Sequence, residues 1–439
     1  MVAGRKTKSQ SLDMLEKAYV GVLLIIFGGI VLHAPLSVGL GALWPDYSLL
    51  IKSWKEVLMG VAMILVAVSL WRKQQLSILK EPLMIGVSVY AVLHILSLTF
   101  LTKSSTLSSI TAGLMIDLRY ILFFALVYIA LRLYPTCRRI FIRVGIVGAL
   151  IVVTFALLQV FILPVDVLKY IGYNINSIVP YLTIDQNHDY IRINSTLRGP
   201  NPLGAYAVIV LAGITAWLTS KKANIRGSKA LIIAVLLLGS VVSLWASYSR
   251  SALVVAVVAV LIVLSTTTLR KISRRSWIIG SVIVLALLGV LLVARGSEFV
   301  SNVLLHDSPT SGSLITSNDN HIDSLQDGFR RLLTQPLGAG VGSTGSASLF
   351  GDSPLIIENQ YLFIAHEVGW LGLAVFILIV IGVFIRLWQR RADWLALAVF
   401  ASGIGLVLMN LLLPVWVDDT ISIVWWGLAA VSIGGRYRE

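Results

Sequence analysis

The chain contains a single cysteine, Cys137, and few charged residues, which make up 13% of its 439 positions. One cysteine excludes a disulfide framework and any metal site built from cysteines. A soluble domain carries about 25% charged residues, so a water-soluble fold is excluded, as are disordered and collagen-like chains. The 57% hydrophobic content and mean hydropathy of +0.88 indicate an all-α polytopic membrane protein, because only helices and closed barrels satisfy backbone polar groups in lipid.

Long apolar runs fill most of the chain. We predict about twelve transmembrane helices within one integral membrane domain, residues 1–439, because the runs have the ~17–25 residues that cross a hydrocarbon core. Two connectors are long, at about 164–200 and 295–354. The predicted spans lie near 18–40, 54–71, 83–101, 111–131, 144–163, 202–220, 230–247, 252–269, 277–294, 363–385, 393–413 and 420–434.

Acidic residues are fewer than basic ones, and the net charge is +14. The connectors and tails of one side hold 24 basic and five acidic residues, and those of the other side hold 10 basic and 15 acidic residues. Positive loops stay cytoplasmic, so both termini are predicted to be inside. The basic N-terminus resembles a signal peptide, but eleven further spans follow and we interpret it as a retained anchor. Topology explains the basic excess, so nucleic-acid binding is not predicted.

Arginines on the outward side go against this charge rule, and the candidates for a functional role are Arg192, Arg198, Arg250, Arg330 and Arg331. The first two precede Asn201 and Pro202, which suit the N-cap and the first position of a helix. A helix N-terminus behind two arginines is a ready anion site. The alternative is an ordinary loop-to-helix junction in which the arginines pair with Asp185 or Asp189.

Arg250 and a glycine-rich run are the next candidates. Arg250 lies in a tight hairpin between two spans, where it either faces protein or snorkels to the headgroups. Arg330 and Arg331 precede a run containing Gly340 and Gly342. No strand precedes this run, so a dinucleotide-binding fingerprint is excluded. Its bare backbone is expected to approach a ligand or a neighbouring helix, with simple turn geometry as the alternative.

Glu358 and Asn359 lie just before the tenth predicted span, where they either line a cavity or lie in water, and His366 follows within the span. With these residues the motifs form an ordered set: an arginine before Pro-Asn-x-x-Gly, then Ser-Arg-Ser-Ala, Pro-x-Gly-x-Gly-x-Gly, Glu-Asn-x-Tyr-Leu and Glu-Val-Gly. Over about 190–375 this set resembles the O-antigen ligase family, which contains lipopolysaccharide O-antigen ligases and Wzy-type repeat-unit polymerases.

The resemblance implies a glycosyltransferase-C-like membrane enzyme that uses neither metal nor cofactor. Its donor would be an oligosaccharide linked to undecaprenyl pyrophosphate, on the outer face of the cytoplasmic membrane. Membrane lipid and other polysaccharide-assembly membrane proteins are the further partners implied. Arg192 (or Arg198) and Arg250 would contact the pyrophosphate. The remaining substrate contacts would come from Asn201, Arg330, Arg331, Gly340, Gly342 and Asn359.

The catalytic base is where the sequence departs from the ligases of this family, which carry histidine before the motif asparagine. Glu358 occupies that position here, so Glu358 is the first candidate base, followed by His321 and His366. The departure favours polymerisation of repeat units over ligation of a finished glycan to lipid A-core or another acceptor. A non-catalytic transporter or flippase is the alternative from another class, but the polar groups gather at the outer face and no internal repeat is visible.

The same chemistry follows from the residue types. Arginine meets a pyrophosphate leaving group bidentately, and two guanidinium groups can stabilise the departing charge without a metal. A carboxylate within hydrogen-bond reach can activate the acceptor hydroxyl.

Deeper in the membrane, Asp117 and Arg119 are predicted either to form a structural ion pair or to tune the groove of the lipid carrier.

Overall fold

The structure of the protein is a computed structural model that describes residues 13–100, 106–184, 187–220, 226–268 and 317–435. Most of these residues belong to helices. The α-helices are α1 Met14–Gly29, α2 His33–Leu43, α3 Ser48–Lys52, α4 Trp54–Arg72, α5 Pro82–Leu96, α6 Leu107–Leu133, α7 Arg138–Phe161, α8 Pro200–Leu218, α9 Ser228–Ala246, α10 Arg250–Thr267, α11 Ser317–Thr334, α12 Gly345–Ser348, α13 Gln360–Gln389, α14 Trp394–Met409 and α15 Asp419–Ile433.

Eight helical segments among the described residues are long and apolar enough to cross a membrane, and three further apolar helices, α5, α14 and α15, are shorter. These segments coincide with eleven of the twelve predicted spans. The ninth, 277–294, lies outside the described residues. The prediction of a multi-pass helical membrane protein is therefore confirmed, whereas the count of twelve spans stays a prediction.

The spans run in alternating directions, so their connectors fall on two sides. One side, called the hairpin side below, carries residues 162–199, 247–249 and 410–418. The opposite side, called the basic side, carries residues 73–81, 134–137 and 390–393. Helix α8 packs against α9, α10 and α14, and α6 packs along α15. These two groups of helices position the candidate residues on the hairpin side.

A β-hairpin is the main departure from the all-α prediction. Strand β1, Tyr181–Ile184, pairs antiparallel with β2, Asn187–Ile193, and Leu182 lies opposite Arg192. The hairpin occupies the long connector between α7 and α8. Ile184 and Ile193 are buried, so the hairpin is anchored on the helices and places Arg192 beside them.

Candidate functional site

Arg192 ties three elements together on the hairpin side. Its Nε donates to the carbonyl oxygen of Ser247 at 2.8 Å, and its Nη2 donates to Oδ1 of Asn201 at 2.7 Å. Ser247 follows α9, and Arg250 begins α10 three residues later. We call Arg192, Asn201, Ser247 and Arg250 the arginine corner. Two of the predicted pyrophosphate-binding arginines thus belong to one corner of the bundle.

The prediction that Asn201 caps α8 is wrong. The helix begins at Pro200, and the N-cap is Gly199, whose extended backbone (φ −177°, ψ 174°) makes no side-chain capping bond. Pro200 suits the first helical position as well as Pro202 does. The helix therefore begins two residues closer to the N-terminus than predicted. The side-chain oxygen of Asn201 instead accepts from Arg192, so Asn201 orients an arginine rather than capping the helix.

The turn between α9 and α10 has a constrained backbone. Tyr248 has φ +47°, in the left-handed region that residues other than glycine rarely adopt. Helix α8 presses on this turn at Gly204, where a Cβ would lie 2.7 Å from Cβ of Ala252 and 2.9 Å from Oγ of Ser247. Burial, and then the neighbouring Tyr190, raise the pKa of the Tyr248 phenol, which therefore stays neutral. Arg250 is half-buried and follows this strained, closely packed turn directly.

Arg198 takes a different position from Arg192. Its side chain is exposed, and it interacts electrostatically with Asp418, the N-cap of α15. Arg192 is therefore the member of the predicted pair that the structure joins to Asn201 and to the turn before Arg250.

Asn359 holds the start of α13. Its Oδ1 accepts from the backbone N–H groups of Tyr361 and Leu362 at 2.9 and 3.0 Å, and its Nδ2 donates to the carbonyl oxygen of Leu411 at 2.8 Å. Both ends of the amide thus bind protein. Glu358 precedes this cap, and its N–H donates to Oγ of Ser324 on α11 at 3.1 Å. The predicted base is half-buried and fixed by its backbone to α11.

The glycine-rich loop lies against a break in α13. Gly369 has φ +71° inside the helix. The N–H groups of Ala339 and Gly340 donate to the carbonyl oxygens of His366 and Glu367, at 2.6 and 3.1 Å. Among the uses predicted for Gly340 and its neighbours, the structure shows the approach to a neighbouring helix.

Glu367 is the residue that sequence analysis missed as a site candidate. Its Oε1 accepts from the backbone N–H groups of Gly342 and Thr344, at 3.0 and 3.3 Å. Glu367 is only 1% exposed, so a buried carboxyl group holds the glycine-rich loop. The signal was present in the sequence, because this glutamate is an acidic residue inside the tenth predicted span, 363–385.

We expect Gly342→Ala to destabilise the protein by about 1–3 kcal/mol or more. Gly342 has φ +80°, and a Cβ there would lie well inside van der Waals contact with the carbonyl oxygen of Ser109. Thermal unfolding of the purified protein in detergent measures the effect. Gly213→Ala is the matched control, because Gly213 is helical and no heavy atom lies within 4 Å of its Cβ position. Equal melting temperatures for the two variants would contradict the tight approach.

The remaining predicted residues lie around α11. Nε of Arg331 lies 2.6 Å from Oδ2 of Asp327 in a pair one helical turn apart, and Arg330 is exposed. His366 is 3% exposed, and its Nδ1 meets no hydrogen-bond partner among the described residues. His321 belongs to α11, but its side chain lies outside the described part of the chain.

Arg119 lies in a buried ionic network. Its guanidinium pairs with the carboxylate of Asp419, which also accepts from Lys55 Nζ at 3.3 Å and His33 Nε2 at 2.8 Å. Glu56 completes the network at 3.2 Å from Lys55 Nζ. The prediction that Arg119 pairs with Asp117 is therefore wrong, since residues two apart on a helix face opposite directions.

The described residues contain no cluster of three or more His, Cys, Asp and Glu side chains that could hold a metal ion. Taken together, the apolar helices and the polar groups buried between them define a multi-pass helical membrane protein. No known protein family matches the chain, and no curated protein is significantly similar to it.

Proposed function

We propose that the protein is a membrane glycosyltransferase that polymerises glycan repeat units carried on undecaprenyl pyrophosphate. The reaction would take place on the outer face of the cytoplasmic membrane, with the hairpin side facing outward. In this reaction the acceptor hydroxyl of one repeat unit attacks the anomeric carbon of another. The bond to the pyrophosphate breaks, and the lipid pyrophosphate leaves with the electron pair.

The arginine corner is the observation that carries this proposal. Arg192 is fixed by two hydrogen bonds to Asn201 and Ser247, and Arg250 stands on the strained turn that Ser247 begins. Fixed guanidinium groups cost little reorganisation when charge develops on a leaving group. A pyrophosphate offers several oxygens, which suits the planar fork of arginine.

Glu358 is the proposed base for the acceptor hydroxyl. The carboxylate adjoins Asn359, whose amide fixes the start of α13, and its own backbone is bonded to Ser324. A base on a fixed backbone loses little entropy when it meets the hydroxyl. The proton released would pass to a carboxylate oxygen of Glu358, because carboxylate oxygens are hydrogen-bond acceptors.

A defined lipid-linked repeat unit tests the reaction. Purified protein should convert it to a ladder of products when no other acceptor is present. Transfer of the glycan only to an added acceptor, with no ladder, would instead identify a ligase. If lipid-linked donor is neither consumed nor transferred, the proposal of a glycosyltransferase fails.

The proposed orientation is tested by labelling single cysteines in intact cells, in a Cys137→Ser background. The charge asymmetry predicts that a membrane-impermeant maleimide modifies Asn176→Cys on the hairpin side, where Asn176 is exposed. The same reagent should leave Ser228→Cys, at the basic-side start of α9, unmodified until the cells are opened. Modification of the Ser228 variant in intact cells would reverse the orientation.

A further inference from the structure

Two carboxyl groups meet between α6 and α13. Asp117 is 5% exposed and Glu367 is 1% exposed, and their side chains lie close enough to interact directly. Oε1 of Glu367 also accepts from the N–H groups of Gly342 and Thr344. The second carboxyl oxygen of Asp117, Oδ2, has no hydrogen-bond partner within the described part of the chain.

A hydrogen bond between two carboxyl groups requires a proton. An ionised carboxylate is only an acceptor, so two of them cannot bond, and two carboxylates that share a site do not both ionise. Burial between membrane-spanning helices strengthens this repulsion, because little solvent screens it. We propose that Asp117 and Glu367 bind one proton between them and together form an intramembrane proton site.

The groups around the pair leave it with one negative charge and one proton. Arg119, two residues after Asp117 on α6, forms an ion pair with Asp419. His94 on α5 lies near Asp117 and uses Nδ1 on the carbonyl oxygen of Tyr90, at 2.9 Å. The uncharged phenols of Tyr90 and Tyr120 lie on the same side. The N–H groups of Gly342 and Thr344, which donate to Glu367, are two further dipoles that face the pair.

The bound proton connects the membrane interior to the glycine-rich loop. While it is shared, Glu367 can bond Asp117 and hold the N–H groups of Gly342 and Thr344 at once. Loss of the proton would place two negative charges in contact, and the carboxyl groups would separate. Glu367 would then move relative to the loop and to the break at Gly369. The site thus locks the loop in the protonated state, whatever substrate the protein takes.

Infrared spectroscopy of the protein in lipid tests the shared proton at neutral pH. The wild type should show the C=O stretch of a protonated carboxyl group, and both Asp117→Asn and Glu367→Gln should lose it, since either leaves one ionised carboxylate with an amide donor beside it. Glu81→Gln is the matched control, because Glu81 accepts from Arg132 and should contribute no such band. Absence of the band in the wild type, or its survival in either pair variant, would overturn the proposal.

Thermal unfolding against pH provides a second test that needs no spectral assignment. The native state would bind one proton more than the unfolded state, whose carboxyl groups are ionised above pH ~5. Stability must therefore fall as pH rises, by up to about tenfold in the folding equilibrium per pH unit. We expect a shallower pH dependence in Asp117→Asn than in the wild type and in Glu81→Gln. Identical pH dependences for all three would contradict the proton site.

Discussion

Replacing Arg250 with alanine is expected to reduce glycan transfer by at least about 10²–10³-fold, the usual cost of losing one fixed group that meets developing charge. The turn that carries Arg250 is held by α8 at Gly204 and by Arg192 at Ser247. The turn should therefore survive the substitution, and the loss should appear in turnover rather than in folding. Initial rates with a lipid-linked repeat unit, together with the melting temperature, separate the two effects.

The lysine variant at the same position tests the geometry of the contact. Arg250→Lys keeps the positive charge but cannot form two parallel hydrogen bonds, so we expect it to remain at least tenfold slower than the wild type. Arg139→Lys, at an exposed site on the basic side, is the matched control and should retain full activity. Full activity of the Arg250→Lys variant would mean that Arg250 only extends its charged end to the lipid headgroups and does not bind the pyrophosphate.

Glu358→Gln is expected to slow transfer by about 10²–10⁴-fold, the contribution typical of general-base catalysis. Glutamine keeps the shape and hydrogen bonding of glutamate but cannot take the proton of the acceptor hydroxyl. Because the backbone N–H of Glu358 makes the bond to Ser324, the substitution leaves that anchor in place. Donor binding, measured separately, should change little.

Glu358→His refines the assignment of the base. Histidine should restore part of the activity lost in the glutamine variant, with a rate that rises through the ordinary histidine pKa near pH ~6.5, because only the neutral ring accepts a proton. Rates measured against pH for wild type, glutamine and histidine variants on one donor provide the comparison. Turnover of the glutamine variant within about threefold of wild type would remove Glu358 as base and direct attention to His321 and His366.

The helical framework could be predicted because hydropathy is a local property. A run of about 20 apolar residues crosses lipid wherever it occurs in a chain, and eleven of the predicted spans correspond to described helices. The β-hairpin was not predicted. The alternation of apolar and polar residues in its strands is short and lies in a polar connector. Ile193 of β2 is buried in the main hydrophobic core, a long-range contact that the sequence does not reveal.

The partners of buried charges could not be predicted from the sequence. Arg119 has an acid two residues away, yet it pairs with Asp419, 300 positions later. Asp117 on α6 lies beside Glu367 on α13. The sequence motifs placed the start of that helix at the proposed substrate site and gave no indication of a contact with α6. Such pairings depend on which helices are neighbours, and a single sequence without periodic repeats carries no information on that arrangement.

The start of α8 shows how local signals can mislead by two residues. Asn201 and Pro202 form a good cap and first turn, but Gly199 and Pro200 form another, and the preference for asparagine as a cap is worth only a few tenths of a kcal/mol over glycine. The bond from Arg192 to Asn201 then decides between them. A contact with Arg192, a strand residue nine positions upstream, thus overrides the capping preference.

The ionic network around Asp419 also bears on how the protein is made. Lys55 and Arg119 are synthesised early, on α4 and α6, whereas Asp419 begins the final described helix. Until α15 reaches the bilayer, Glu56 is the carboxylate nearest to both cations in this network. The early helices therefore carry buried cations that lack one native carboxylate until α15 inserts. We expect a chain truncated before Asp419 to be less stable, because Lys55 and Arg119 then share only Glu56 within this network.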